Sequence, residues 1–278
     1  MPRWWVWTFY ATIIWGIVYV ILYPAWPMVE KATDGVLGWS SRGQLAAEVR
    51  AEETRRAPIL AAIDSVPIEE LPLDETRMRN AISGGAAAFK VNCVQCHGAG
   101  AAGSKGYPNL NDDDWIWGGN LKDIEQTLIH GIRWDGSDET RTSFMPAFGR
   151  DGILTRDQIS DVTSYVLTLS GRENVSAASQ RGAVTYDAQC AFCHQPAGTG
   201  NRELGAPNLT DEIWLYGDSR AQIEQQIYQS SHGVMPGWKD RLDPVTIKML
   251  AAYVHSRGGG EDFVEAAEDP EVEADEQP

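Results

Sequence analysis

The sequence has few cysteines and little positive charge, and both shortages narrow what the chain can be. Its 278 residues include only four cysteines, and all four lie in two Cys-x-x-Cys-His motifs at residues 93–97 and 190–194, so none is left for another purpose. Lys and Arg number 23 against 39 Asp and Glu, a formal net charge of −16. Phosphate binding needs clustered positive charge, so nucleic acid is excluded as a partner.

Charge is missing altogether from the first segment. Residues 4–23 contain no Asp, Glu, Lys or Arg, and a helix of about 20 residues crosses a hydrocarbon core of about 30 Å. Aromatic residues gather at both ends, as at the two interfaces of a membrane. A cleaved signal peptide is the alternative, but the stretch is longer than a signal-peptide core and has no small-residue cleavage motif. We predict a transmembrane anchor at residues 4–24.

The sequence also lacks a strong strand pattern, so we predict a mainly α fold. An internal repeat organises it: aligning the two Cys-x-x-Cys-His motifs also aligns a Pro-Asn-Leu, a Trp-x-x-Gly and a Met-Pro sequence downstream of each. Each copy is predicted to open with a helix leading into the motif and to close with another. Thr155 and Gln158 form a capping box for the first closing helix, and Asp243 caps the second, with Pro244 at its first position.

The repeat and the composition divide the chain into five consecutive segments. After the anchor we predict a periplasmic linker at 25–77 with a short helix around 41–56, a first unit at 78–171, a second unit at 172–260 and an acidic disordered tail at 261–278.

The two motifs point to covalently attached haem. Cys-x-x-Cys places two thiols one helical turn apart, where both can form thioether bonds to one haem, and the following histidine reaches the iron. A zinc site would need four ligands at closer spacing, and a redox dithiol gives no reason for the histidine or for the duplication. We therefore predict two haem c groups, held by Cys93, Cys96, Cys190 and Cys193.

Each haem iron needs two axial ligands. His97 and His194 are the first ligands, and Met145 and Met235 are the predicted second ligands, because each precedes a proline at a matching place in the repeat. Core packing is the alternative role for these methionines, and His232 is an alternative ligand for the second iron. With both positions filled no substrate can reach the iron, which argues against catalysis by this chain itself.

Several further residues are candidates for a supporting role. Pro108 and Pro207 lie at equivalent positions, where their carbonyl groups could orient the two histidines, although a plain turn explains them as well. Trp115 and Trp214 could bond haem propionates or simply pack in the core.

The chain resembles the diheme subunit III of cbb3-type cytochrome c oxidases, the CcoP or FixP family. The resemblance extends from Pro2 to about Gly260 and rests on Pro-Arg-Trp-Trp at residues 2–5, on Ala-Pro-Asn-Leu-Thr at 206–210 and on Ile-Trp-Leu-Tyr-Gly at 213–217. It implies one N-terminal transmembrane helix followed by two tandem class I cytochrome c domains. Family members usually carry a segment before Pro-Arg-Trp-Trp, whereas here only Met1 precedes it.

The resemblance also implies a role. Such subunits accept electrons from a soluble or membrane cytochrome c donor and pass them to the monohaem cytochrome subunit and then to the haem and copper centre that reduces oxygen. By motif, His97 would pair with Met145, and His194 with Met235. Covalent haem attachment takes place outside the cytoplasmic membrane, which predicts a single-pass protein of the bacterial inner membrane with its haem units in the periplasm.

Two other functions remain open from the residues alone. The first is a free-standing, membrane-anchored diheme carrier, which copurification would distinguish from an oxidase subunit. The second is a diheme peroxidase or thiosulfate-oxidising enzyme, which needs an iron with an exchangeable position and is disfavoured by the paired Met-Pro sequences. The acidic surface favours a basic soluble donor steered by charge.

Overall fold

The computed structural model of the protein describes residues 1–262, and the predicted acidic tail lies outside them except for its first two residues. The described part contains helices, turns and a few isolated bridges but no strand, which confirms the mainly α fold. The chain divides into two compact units, residues 1–61 and the part from Ala62 onwards.

The described helices are joined by connections that range from a single residue to long loops. In order they are α1 (Arg3–Leu22), α2 (Ser41–Asp64), a 3-10 helix (Ile68–Leu73), α3 (Glu75–Asn92), α4 (Val94–His97), α5 (Leu121–His130), α6 (Arg156–Leu169), α7 (Ala177–Gln189), α8 (Ala191–His194), α9 (Arg220–Tyr228) and α10 (Pro244–His255).

The first unit contains α1 and most of α2. Helix α1 is the one helix in residues 1–262 that is long and apolar enough to cross a membrane, and none of its residues is buried within the protein. It forms the N-terminal membrane helix. Helix α2 continues to Asp64, beyond the end at residue 56 predicted from the sequence, and it contains Pro58. Pro58 removes one backbone hydrogen bond, but the helix-forming residues after it continue the helix until Ile63 is buried.

The helices that lead into the two motifs form as the sequence predicts. Gly85 and Phe89 of α3 are buried and lie on one face with Cys93, because residues four apart share a helix face. Helix α7 repeats the pattern with Gly182 and Tyr186. Each helix therefore positions the first cysteine of its motif against the protein core.

The closing helices are exchanged between the repeats. Helix α6, from the first repeat, packs on α7 of the second, and α10, from the second repeat, packs on α3 of the first. Tyr165 of α6 lies against Tyr186 with ring centroids 5.0 Å apart, and Tyr253 of α10 lies against Phe89 at 5.2 Å. The intervals 78–171 and 172–260 thus describe the repeat in the sequence. In the folded chain, the helix that leads into each motif packs against the closing helix of the other repeat.

The connection between α6 and α7 explains this exchange. Only residues 170–176 separate the two helices, and so short a connection favours an antiparallel helical hairpin. Arg181 of α7 holds the hairpin by donating two hydrogen bonds, of 2.7 and 2.6 Å, to the Asp161 carboxylate of α6. Because α6 packs on α7, the apolar face of α3 is covered by α10 instead.

Glycine allows both helix pairs to approach closely. A Cβ atom on Gly182 would lie 2.0 Å from the backbone oxygen of Asp161, and one on Gly85 would lie 2.0 Å from that of Met249. No side chain fits at either distance. The two glycines occupy equivalent positions in the repeat, so the two exchanged pairs are built in the same way.

Asp114 is a half-buried carboxyl group in an acidic cluster, and its replacement should stabilise the protein at neutral pH. Burial, followed by the neighbouring carboxylates Asp211 and Asp112, raises the pKa of Asp114 from its usual 3.8 to about 6. The folded protein therefore retains a proton that the unfolded chain loses, so stability falls as pH rises from about 4 to about 6. Above pH 6 the charged group is destabilising by about 1 kcal/mol after allowance for solvent screening.

We expect Asp114→Asn to raise the thermal midpoint of the haem-loaded protein at pH 7.5 by about 2–4 °C and to change it little at pH 4. Asp138→Asn, at an exposed position outside this acidic cluster, is the matched control. An equal gain for Asp114→Asn at both pH values would show that burial of the charge is not the cause.

Candidate haem-binding sites

Both Cys-x-x-Cys-His motifs fold into one short helical turn. Cys93 ends α3 and begins α4, and its carbonyl accepts hydrogen bonds from the amides of Cys96 and His97 at 3.2 and 3.0 Å. Cys190 does the same for Cys193 and His194, at 3.1 and 2.9 Å. Each motif therefore presents two thiols and an imidazole from a single turn.

Both histidine rings are oriented by a proline carbonyl, which is one of the two roles that the sequence left open for Pro108 and Pro207. His97 Nδ1 lies 3.0 Å from the Pro108 oxygen, and His194 Nδ1 lies 3.0 Å from the Pro207 oxygen. A carbonyl only accepts, so Nδ1 carries the proton and Nε2 keeps a free lone pair. Burial lowers the pKa of both imidazoles, which keeps them neutral. A neutral imidazole with a free Nε2 is the form that binds iron.

Met145 packs beside the second motif rather than the first. It is half-buried and packs against the apolar cluster that contains Tyr186, α6 and α9, where Cys190 and Trp214 also pack. Its backbone is held by the segment after α9: the Met145 amide donates to His232 Nε2 at 3.0 Å, and the Met145 carbonyl accepts from Ser230 Oγ at 2.6 Å.

Met235 packs at the end of α5, in the first repeat. Its amide and carbonyl exchange two hydrogen bonds with the backbone of Ile132, of 3.0 and 2.9 Å. Three residues further on, the Trp238 amide donates to the Leu128 carbonyl at 2.8 Å. Gly131 also lies against this segment, since a Cβ on it would approach the Met235 carbonyl to 2.3 Å.

The positions of the two methionines favour a ligand pairing that differs from the one expected from the sequence. Met145 follows His97 in the chain but packs with the elements that carry His194. Met235 packs with α5, which also contacts α10, the helix that packs on α3. The exchange of the closing helices explains these positions. Each Met-Pro loop comes before a closing helix in the chain, so the loop lies on the side of the fold where that helix packs. The contacts favour His97 with Met235, and His194 with Met145.

The tryptophans differ between the two sites. Trp115 Nε1 donates to the Gly259 carbonyl at 2.7 Å. Trp214 Nε1 is buried and has no hydrogen-bond partner among the residues described here. A buried donor without a partner costs about 1–3 kcal/mol, so Trp214 fits a site in which a bound group supplies the acceptor. A haem propionate has the right chemistry, and the residues present thus fit a haem.

Each of the remaining histidines has another hydrogen-bond partner in the described structure. Nε2 of His232 is occupied by the Met145 amide. His130 Nδ1 lies 3.0 Å from Ser137 Oγ, and His255 Nε2 lies 2.9 Å from the Glu261 carbonyl. His232 is thus a neighbour of the candidate ligand, a role that its sequence position, close to Met235, did not indicate.

Known proteins resemble the chain over nearly its whole length. A protein from Cereibacter sphaeroides described as the cbb3-type cytochrome c oxidase subunit CcoP is 49% identical over 261 residues, which cover 94% of this chain and 90% of the relative. The chain belongs to the CcoP/FixP family. FixP proteins from Rhizobium meliloti and Azorhizobium caulinodans are 48% and 49% identical and cover 94% of the chain each, with 90% and 88% of their own lengths.

Three protein-family models match the CcoP/FixP chain in succession. The N-terminal domain of cytochrome oxidase-cbb3, FixP, matches residues 1–30, cytochrome c matches 82–170, and cytochrome c oxidase, cbb3-type, subunit III matches 177–254. Two cytochrome c domains imply haem c as the cofactor. The two cytochrome matches follow the sequence repeat, so the boundary between them falls between α6 and α7. These two helices pack together in the structure.

Proposed function

We propose that this chain carries two covalently bound haem c groups and transfers electrons as the diheme subunit of a cbb3-type cytochrome c oxidase. The observation that carries the proposal is the repeated site: two Cys-x-x-Cys-His turns, each with a histidine 3.0 Å from a proline carbonyl and a methionine held against the same group of helices. Similarity to CcoP and FixP proteins over 94% of the chain supports its assignment as a subunit of that oxidase.

Each haem would be held by one motif and by ligands from both repeats. Cys93 and Cys96 would attach the first haem, and His97 and Met235 would bind its iron. The second haem would be attached through Cys190 and Cys193 and bound by His194 and Met145 (Cys190 and Met145 pack on one cluster). When bound, haem supplies an iron that gains and loses one electron, and thioether ligation favours the ferrous form and raises the potential.

The residues of this chain would make that electron exchange fast by keeping both irons closed to other ligands. The proline carbonyls orient the imidazoles, and hydrogen bonds to the amide and the carbonyl of each methionine hold its backbone in place. An iron with two protein ligands in both redox states has no free position for substrate. The chain therefore acts as a relay between a cytochrome c donor and the monohaem and haem-copper subunits.

The proposed function also implies how the protein is oriented in the membrane. Helix α1 would anchor the chain in the bacterial inner membrane, and the part from Ala62 onwards would lie in the periplasm, where haem is attached.

Affinity purification of the chain from native membranes tests the proposed function. The chain should retain two haems through a denaturing gel and should bring with it haem b and oxygen consumption driven by a reduced cytochrome c. Cys93→Ser with Cys96→Ser, and Cys190→Ser with Cys193→Ser, are matched variants that should each lose one haem. A c-type spectrum without copurifying subunits would instead indicate a free-standing carrier.

The acidic composition predicts that electron transfer from a basic donor depends on salt. With a formal net charge of −16, the association rate should fall steeply as ionic strength rises, because screening removes charge steering. Stopped-flow reduction of the purified complex by a basic cytochrome c, at low salt and at 0.3 M salt, measures this. A rate that does not change with salt would contradict a charge-steered donor.

A further inference from the structure

Arg133 occupies an unusual position between the two methionine loops. It follows α5, it is half-buried, and its backbone adopts a left-handed conformation with φ of 52°. Residues with a side chain rarely adopt this conformation, and the cost of about 1–3 kcal/mol is tolerated where the surrounding structure holds the residue in place.

The side chain of Arg133 bonds to both loops at once. Its Nε donates to the Gly233 carbonyl at 2.7 Å, and its Nη1 donates to the Ser143 carbonyl at 3.2 Å. Gly233 precedes Met235 by two residues, and Ser143 precedes Met145 by two residues. One planar guanidinium group therefore links equivalent points of the two loops that carry the candidate ligands.

The charge of Arg133 is not neutralised by an acidic side chain. No carboxylate of the described residues lies within 4.0 Å of its nitrogen atoms. Arg141, which is also half-buried, differs in this respect, because it pairs with Asp123 at 2.8 Å. A guanidinium group stays protonated even when it is partly buried, so Arg133 places a positive charge between the two methionine loops, and no acidic side chain of the described residues pairs with it.

We propose that Arg133 is a positioning residue shared by both haem sites, which ties the two methionine loops together and raises the potential of both irons through its charge. This inference rests on the proposed function, since it requires two haems with methionine ligands. A positive charge disfavours the oxidised form of a nearby iron, because that form carries one more positive charge. A single residue then adjusts the two potentials together, and movement of one loop is transmitted to the other.

Two substitutions separate the charge of Arg133 from its hydrogen bonds. Arg133→Gln removes the charge, and Arg133→Lys keeps the charge but lacks the fork that reaches both carbonyls. Gln and Lys would both have to adopt the left-handed backbone conformation of position 133, so backbone strain does not distinguish the two variants. In redox titrations of the purified full-length chain, Arg133→Gln should shift both midpoint potentials downwards, whereas Arg133→Lys should leave both near their starting values.

Hydrogen exchange measures the link between the loops. In both variants the amides of Met145 and Met235 should exchange about tenfold faster, as the loss of a hydrogen bond to a charged group would produce. The matched control is Arg150→Gln, which removes an exposed arginine paired with Asp151, five residues after Met145. Arg150→Gln should change neither midpoint potential, and it should leave the exchange rates of the Met145 and Met235 amides unchanged.

The possible outcomes decide between the two parts of the proposal. A shift of one potential only, or acceleration in one loop only, overturns a shared role for Arg133, and equal loss of potential in the Lys and Gln variants overturns the role of charge. If Arg133→Gln fails to load haem, the Lys variant still decides through exchange at both loops. Failure of the proposed function is distinct, because the unaltered chain would then lack two methionine-ligated haems.

Discussion

Replacing Met145 by alanine should change the haem attached to the second motif, not the one that precedes Met145 in the chain. The test uses a chain with Cys93→Ser and Cys96→Ser, which keeps only the haem at residues 190–194. In that chain Met145→Ala should lower the potential by a substantial part of the range of about 0.8 V over which axial ligands set haem potentials. The vacated iron should also bind carbon monoxide.

Met235→Ala in the same single-haem chain is the matched control. Met235 packs on Ile132 and α5 of the first repeat, so its loss should leave the potential and the carbon monoxide binding of the remaining haem nearly unchanged. In the reciprocal chain, which keeps only the first haem, the two methionines should exchange roles. If Met235→Ala were the variant that opened the second haem, the crossed pairing would be wrong and ligation would follow sequence order.

Gly182→Ala should destabilise the unit around the second motif and loosen α6 in particular. The added methyl group would lie 2.0 Å from the backbone oxygen of Asp161, and a backbone atom cannot move aside by changing rotamer. Overpacking of this kind costs about 1–3 kcal/mol, even though alanine favours helix over glycine by about 1 kcal/mol. A cost of about 2 kcal/mol corresponds to roughly 30-fold faster amide exchange in α6 and α7.

Gly85→Ala provides the mirror experiment, because its methyl group would meet the Met249 oxygen at 2.0 Å. Faster exchange is then expected in α3 and α10. Val184→Ala, on the same helix as Gly182 and 73% exposed, is the matched control and should change exchange little. Loosening of α10 by Gly182→Ala, or of α6 by Gly85→Ala, would indicate that each repeat packs on itself.

Local structure was predictable from the sequence because its signals are local. The capping box of Thr155 with Gln158 is present at the start of α6, and Asp243 caps α10 through the Thr246 amide, with Pro244 in the first turn. The proline carbonyls behind both histidines were one of two roles that the sequence left open, because a proline follows each motif at an equivalent place in the repeat. These features depend on residues close together in the chain.

The exchange of closing helices was not predictable from the same signals. The apolar stripe of α6, with Ile159, Val162 and Val166 buried, would fit against α3 or α7 equally well. The short connection to α7 decides between them, and it bears on packing rather than on helix formation. Met145 was assigned to the nearest preceding motif for the same reason, and Arg133 was missed because the repeat has no second arginine at its equivalent place.

A density map of the haem-loaded chain is the decisive test of the crossed ligand pairing, because it shows which sulfur atom lies at each iron. We expect the Met235 sulfur at the iron of the haem joined to Cys93 and Cys96, and the Met145 sulfur at the iron of the haem joined to Cys190 and Cys193. A map in which Met145 and His97 bind the same iron would contradict it.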